Sequence, residues 1–332
     1  MKSLLVIISA LFLLSSCSTD FDTTADYKEI MVVYGLLNQY DSAHQYIKIN
    51  KAFLGEGNAL IMAQQRDSIN YGDILDVKLD KIDNGNVTAT YMLQRDTTVP
   101  RDTGIFHNPY QVLYRLDGHP LSINSQYKLR IRNTETGKEV TSQSAVLGNC
   151  VVNEPDPTDK FNFIVALNPT VQLDSAIRAK VYSVTLRFHY TEVENGSGNS
   201  TGKYFDWRFD DKINDPPNAS IIYSFSGHEF YYMVGQNIPV DTHVIRHVGN
   251  TDIAGGLPIE LIVSAGSSDL ARYMELTTPS NTVVQEVPIF NNIENGIGLF
   301  TGRLQFSVFR DMTNGSKIAL DTNQYTKDLN FQ

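Results

Sequence analysis

Apolar and polar side chains alternate with a period near two along most of this chain, the spacing of β-strands that bury one face. The cleanest run is 182–190. Tyr182, Val184, Leu186, Phe188 and Tyr190 share one face, and Ser183, Thr185, Arg187 and His189 the other. Phe205, Trp207 and Phe209 repeat the pattern against Tyr204, Asp206 and Arg208, and Leu304, Phe306 and Val308 do so within 303–309. In the first half, Leu75, Val77 and Leu79 alternate with Asp76, Lys78 and Asp80, and Tyr127, Leu129 and Ile131 with Lys128, Arg130 and Arg132. Residues 45–53 alternate as well. Residues 30–37 are almost continuously apolar and read as a strand covered on both faces, with 259–264 as a second buried strand.

Turn and cap chemistry punctuates these runs. Asp83-Asn84-Gly85-Asn86 predicts a tight hairpin, because Asn and Gly accept positive φ. Residues 194–202 predict a flexible hairpin loop, and 94–109, with two prolines, a long surface loop. Helices are predicted over 58–68 with Asn58 as cap, over 227–238 with Phe230, Val234 and Ile238 on one face, and over 269–277 with Ser268 as cap and Pro279 as stop. The succession of hairpins predicts a mainly β protein built as two β-sandwich-like domains, the first Ig-like, with a few short helices. The proline-rich acidic stretch 153–157 sets the boundary, giving domains at 29–152 and 153–332. A chain of 332 residues accommodates two such cores.

The formal net charge of −10 lacks the basic footprint of a nucleic-acid-binding protein, so no nucleic acid is expected as a partner. Enzyme motifs fail in turn. His228-Glu229 has Tyr232 where a zinc-protease helix needs its second histidine. Gly55-Glu56-Gly57 and Gly296-Ile297-Gly298 do not open a strand–turn–helix unit, and the second is expected to turn or bulge into a strand at Arg303. There is no P-loop and no Gly-x-Ser-x-Gly elbow. His243 and His247 lack a third ligand and read as surface residues. Asp210, Asp211 and Asp215 fit no calcium-loop spacing and read as a solvated loop. The expectation is therefore a protein that is not an enzyme, with no catalytic residue, cofactor or metal. Phe205, Trp207 and Phe209 read as core, with a carbohydrate platform as the alternative. Loops 94–109, 194–202 and 210–218 are the expected binding surfaces.

The N-terminus carries the most specific signal. Lys2 precedes an apolar run, Leu4 to Leu14, that is too short to span a bilayer, and Leu14-Ser15-Ser16-Cys17 resembles the lipobox of bacterial lipoproteins. That resemblance implies a signal peptide at 1–16, acyl chains attached at Cys17, and a polar tether at 17–28. Cys150 is then the single remaining cysteine and reads as a small buried hydrophobe. Asp followed by Ser or Thr recurs in a form similar to the O-glycosylation pattern of exported Bacteroidota proteins, marking Thr23, Ser42, Ser68, Thr97 and Ser175 as acceptors.

The lipobox, the early strand Met31-Val32-Val33-Tyr34-Gly35 and the late segment Asn292-Ile293-Glu294-Asn295-Gly296-Ile297-Gly298-Leu299-Phe300 together resemble a family of Bacteroidota outer-membrane lipoproteins. That family is known as a domain of unknown function, and its genes often lie beside those of TonB-dependent transporters. The resemblance implies a lipid-anchored outer-membrane accessory protein, on the periplasmic or the cell-surface face, that binds or helps assemble a TonB-dependent transporter. It brings no catalytic residues. The alternative is a fimbrial or adhesin subunit made of two β-sandwiches, polymerising through exposed strand edges.

Overall fold

A computed structural model describes residues 29–52, 65–100, 110–164, 168–215, 219–250, 252–253, 255–277 and 290–332. The alternating segments form strands, and the chain is mainly β with four short helices among the described residues. In the first half, β1 (Met31–Asn38) and β2 (His44–Lys51) pair antiparallel, and β6 (Leu113–Asp117) and β5 (Gln94–Asp96) continue that sheet. Facing it is a four-stranded sheet ordered β4 (Asn86–Met92), β3 (Leu75–Asp83), β7 (Gln126–Asn133), β8 (Glu139–Ala145). Val33, Ile49 and Tyr114 from one sheet meet Val77, Leu129 and Ile131 from the other in a single core. Each such side chain contributes about 1.5–3 kcal/mol by leaving water. The hairpin predicted at 83–86 joins β3 to β4, with Asn84 in the left-handed region at φ +51.

The second half repeats the layering. β11 (Ala179–Glu194), β12 (Ser200–Arg208), β16 (Ile259–Ser267) and β17 (Ile297–Arg310) form one sheet, and β15 (Val244–Val248) and the short β13 (Lys212–Ile213) also pair with β11. Its inner face is closed by a small sheet, β14 (Ile221–Ser224), β10 (Thr170–Leu173) and β9 (Val152–Glu154), and by helices Gly227–Asn237 and Asn314–Thr322. We label the helices α1 (Arg66–Ile69), α2 (Gly227–Asn237), α3 (Ser268–Thr277) and α4 (Asn314–Thr322). Ser226 caps α2 through the Glu229 amide, and Phe230 and Val234 are fully buried, as the helical spacing predicts. α3 differs. None of its residues is buried, and it lies across the outer face of the large sheet against β11, β16 and β17.

The two halves are not joined only by a linker. β1 pairs in parallel with β17, from Val32 opposite Ile297 to Asn38 opposite Arg303, so both large sheets form one ten-stranded sheet. β17 crosses the joint. Phe300 fills the first core and Leu304 the second. The chain passes from one core to the other between Val146 and Leu147, and Ile293 and Phe300 return to the first core from the far end. Gly298 makes the pairing possible. Its φ is +128, and a Cβ there would stand 2.0 Å from the Val33 carbonyl oxygen.

Several expectations change here. β17 begins at Ile297, not Arg303, because Gly298 is inside the strand rather than in a turn before it. β1 is covered on one face only, with Tyr34 exposed. The long loop expected from 94 starts as the edge strand β5. The cap of α3 is Ser267, whose Oγ accepts the Leu270 amide, rather than Ser268. The helix expected over 58–68 lies mostly outside the described residues; Arg66–Ile69 is helical. The polar-looking C-terminus buries Leu329 and Phe331, each 2% exposed.

That tail is held by a buried charge. Arg246 is fully buried and donates to Glu192 Oε1 from Nε (2.9 Å) and Nη2 (2.8 Å), to the Leu329 carbonyl (2.7 Å) and to the Pro239 carbonyl (2.9 Å). Lys203 pairs with the other Glu192 oxygen. The Arg246 amide and carbonyl also bond Asn330 and Gln332. Burial raises the Glu192 pKa, but Lys203 and Arg246 outweigh it and the carboxyl ends below its ordinary value.

Gly298→Ala should cost at least about 2 kcal/mol from strain at positive φ and backbone overlap. In urea, Trp207 fluorescence and far-UV circular dichroism should shift together, because both cores share β17; separate midpoints would contradict the shared strand. Arg246→Ala should cost about 3–5 kcal/mol by leaving two buried carbonyls without that donor and Glu192 with Lys203 alone. Glu192 contributes its stability in full above its unfolded pKa, about 4.3, and loses it as pH falls through the lower folded value. The Arg246→Ala difference in melting temperature should therefore shrink on acidification below that point.

Candidate functional site

Outward residues of β11, β12, β16 and β17 build a polar web on the exposed face of the sheet. Arg187 donates from Nε to Asp206 Oδ1 (2.6 Å) and from Nη2 to Oδ2 (2.9 Å), and its guanidinium lies 3.9 Å from the Tyr204 ring centroid. Opposite Arg187 in register is Glu260. One Glu260 oxygen meets His189 Nε2 at 2.8 Å, and the other accepts from Ser307 Oγ at 2.6 Å. His189 is 3% exposed and its Nδ1 has no hydrogen-bond partner. Glu260 thus stands between Ser307 and His189. The direct serine–base contact that activates a nucleophile is not formed in this arrangement.

Beside this web, α3 and the sheet enclose a groove of about 400 Å³. That is within the roughly 300–1,000 Å³ of small-molecule clefts. Leu36, Ile262, Leu270 and Met274 give it apolar walls, and Ser264 and Gln305 give neutral polar ones. Of its charged lining, Asp206 is held by Arg187, and Asp211 accepts from Arg208 at 2.9 Å. Arg303 is half-buried, and its Nε is out of water with no hydrogen-bond partner. Next to the groove, Tyr34 and Tyr273 share a 3.5 Å hydroxyl contact and edge-to-face rings. Burial first, then Tyr273, pushes the Tyr34 phenol up to about 12.

The residues singled out from sequence fall as follows. Phe205 and Trp207 are 7% exposed and face the core, with Trp207 edge-to-face on Phe209 and Phe225. The platform alternative thus has its tryptophan on the inner face, away from Asp206 and Glu260. His243 and His247 are both exposed; His243 Nδ1 meets Asp241 at 3.1 Å. No group of three His, Cys, Asp or Glu side chains that could hold a metal occurs among the described residues. Cys17 and Thr23 lie outside the described residues. Ser42 and Thr97 are exposed, while Ser68 and Ser175 are half-buried. Ser175 Oγ also accepts from Asn214 Nδ2 at 2.5 Å. Arg303 was legible only as one polar position on a strand face. Its groove is assembled from five strands and a helix that no local pattern brings together.

No family model matches the chain, and no curated protein matches it. Among solved structures, a chain titled "Cytokine receptor complex - Crystal form 1A" aligns with 86% of this chain and 99% of its own at 9% identity, with a TM-score of 0.23. A likeness that slight carries no argument.

Cys150 is 5% exposed, and burial, with Asp174 second, pushes its thiol up to about 12. Alkylation of Cys150 by iodoacetamide at pH 8 should be at least about 100-fold slower in the native chain than in urea, since the thiolate is the nucleophile. Peptide mass mapping measures both rates. Equal rates would place the thiol in solvent.

Proposed function

We propose that this protein is a lipid-anchored accessory of the outer membrane that binds or helps assemble a TonB-dependent transporter. The observation that carries the reading is Leu14-Ser15-Ser16-Cys17 directly after a short apolar run. An acyl group on Cys17 tethers the folded halves at the membrane surface through residues 18–28. The shared ten-stranded sheet supports the reading by making the two halves a single body for a partner to engage. Its outer face offers ion pairs and a groove. Ser42 and Thr97, both exposed, are the acceptor positions best placed for O-glycosylation.

The test is a mild-detergent pull-down from native membranes through a C-terminal tag, comparing the unchanged chain with Cys17→Ala. A TonB-dependent transporter should be recovered with the unchanged chain and lost with Cys17→Ala. A ladder of self-oligomers without a transporter would instead favour the fimbrial reading.

A further inference from the structure

Of the charged residues that line the α3 groove, Arg303 is the one without a partner. Asp206 and Arg187 satisfy one another, and so do Arg208 and Asp211. Among the described residues, Arg303 has no ion-pair partner, and its Nε is removed from water without a hydrogen bond. A guanidinium answered by neither an acid nor full hydration is costly. It is also the group that best matches a carboxylate, through two parallel N–H···O bonds.

The rest of the lining narrows the class of ligand. Leu36, Ile262 and Leu270 form apolar wall, so the body of the ligand is apolar. One unpaired cation balances one negative charge. Both lining aspartates are already paired, so no free cation remains for the second charge of a phosphate dianion. The groove opens on the side of the sheet away from both cores, so a ligand can enter without unfolding either.

We propose that this groove binds a small amphipathic monocarboxylate, with its apolar body against Ile262, Leu270 and Leu36 and its carboxylate on Arg303. The site goes beyond the membrane assignment and does not depend on it.

Calorimetric titration tests it, with the full chain in buffer or in nanodiscs, empty discs being subtracted. The probes are 4-phenylbutanoate and its uncharged amide. The acid should bind at least about tenfold more tightly than the amide, and Arg303→Gln should erase that advantage while the amide is unaffected. Gln305→Asp gives an independent route should Arg303→Gln fail to fold. It sets a carboxylate two residues along the same strand face and should erase the preference by pairing Arg303 internally. Equal binding of acid and amide, no binding of the acid up to about 10 mM, or a preference that survives in the folded variants would overturn the proposal.

Discussion

The parallel pairing of β1 with β17 is the contact on which both halves rest. Asn38 and Gln305 are 267 residues apart, yet the Asn38 side chain both donates to the Gln305 carbonyl and accepts its amide. Phe300 and Leu304, one on each side of the joint, serve different cores. The closure entropy of so long a loop grows only logarithmically with length, so two cores and a continuous ladder readily offset it. The kinetic consequence is larger. The ten-stranded sheet is complete only when its last strand, β17, arrives, which places this chain among slow, non-local folders.

The period-two pattern made most strands legible, because a half-buried strand must alternate. Tyr182 to Tyr190 and Tyr127 to Ile131 needed nothing more. The hairpin at Asn84 and the face of α2 were legible for equally local reasons. What escaped was set by tertiary contact. Gly298 looked like a turn residue, since glycine at positive φ is commonest there, but here it lets β17 approach the Val33 carbonyl. Leu329 and Phe331 are two apolar residues in a polar tail, too few to show a period. Their burial is tied to Arg246, which sits on a strand far from the tail in sequence. The boundary stretch 153–157 is where composition changes, whereas the cores change over at Val146 and Leu147, and composition does not report on which core a residue enters.

The two charged systems of the second half differ in what they do. Arg246 and Glu192 are inside, with carbonyls filling the remaining donor positions, and together they fix the C-terminal tail to β15. Removing one partner there leaves a buried charge, which is why such a pair constrains structure even where its net stabilisation is small. Arg187 and Asp206 lie on the outer face, where pairing adds little stability but suppresses unpaired charge on a broad surface. Arg303, by contrast, has no acid beside it in the groove.

Arg303 also occupies the point where β17 passes from one partner strand to the other, opposite Asn38 of β1 and opposite Gly266 of β16. The absence of a side chain at Gly266 is what admits α3. A Cβ there would stand 2.7 Å from Leu270 and 3.0 Å from Val181, pushing the helix off the sheet and changing the groove. The residues that join the halves therefore also shape the groove. A shift of one half against the other would move Leu36 and Arg303 relative to Leu270, altering both its apolar wall and the position of its charge. Binding at this face and the integrity of the joint are consequently coupled through the same short stretch of β17, in whichever direction the coupling is read.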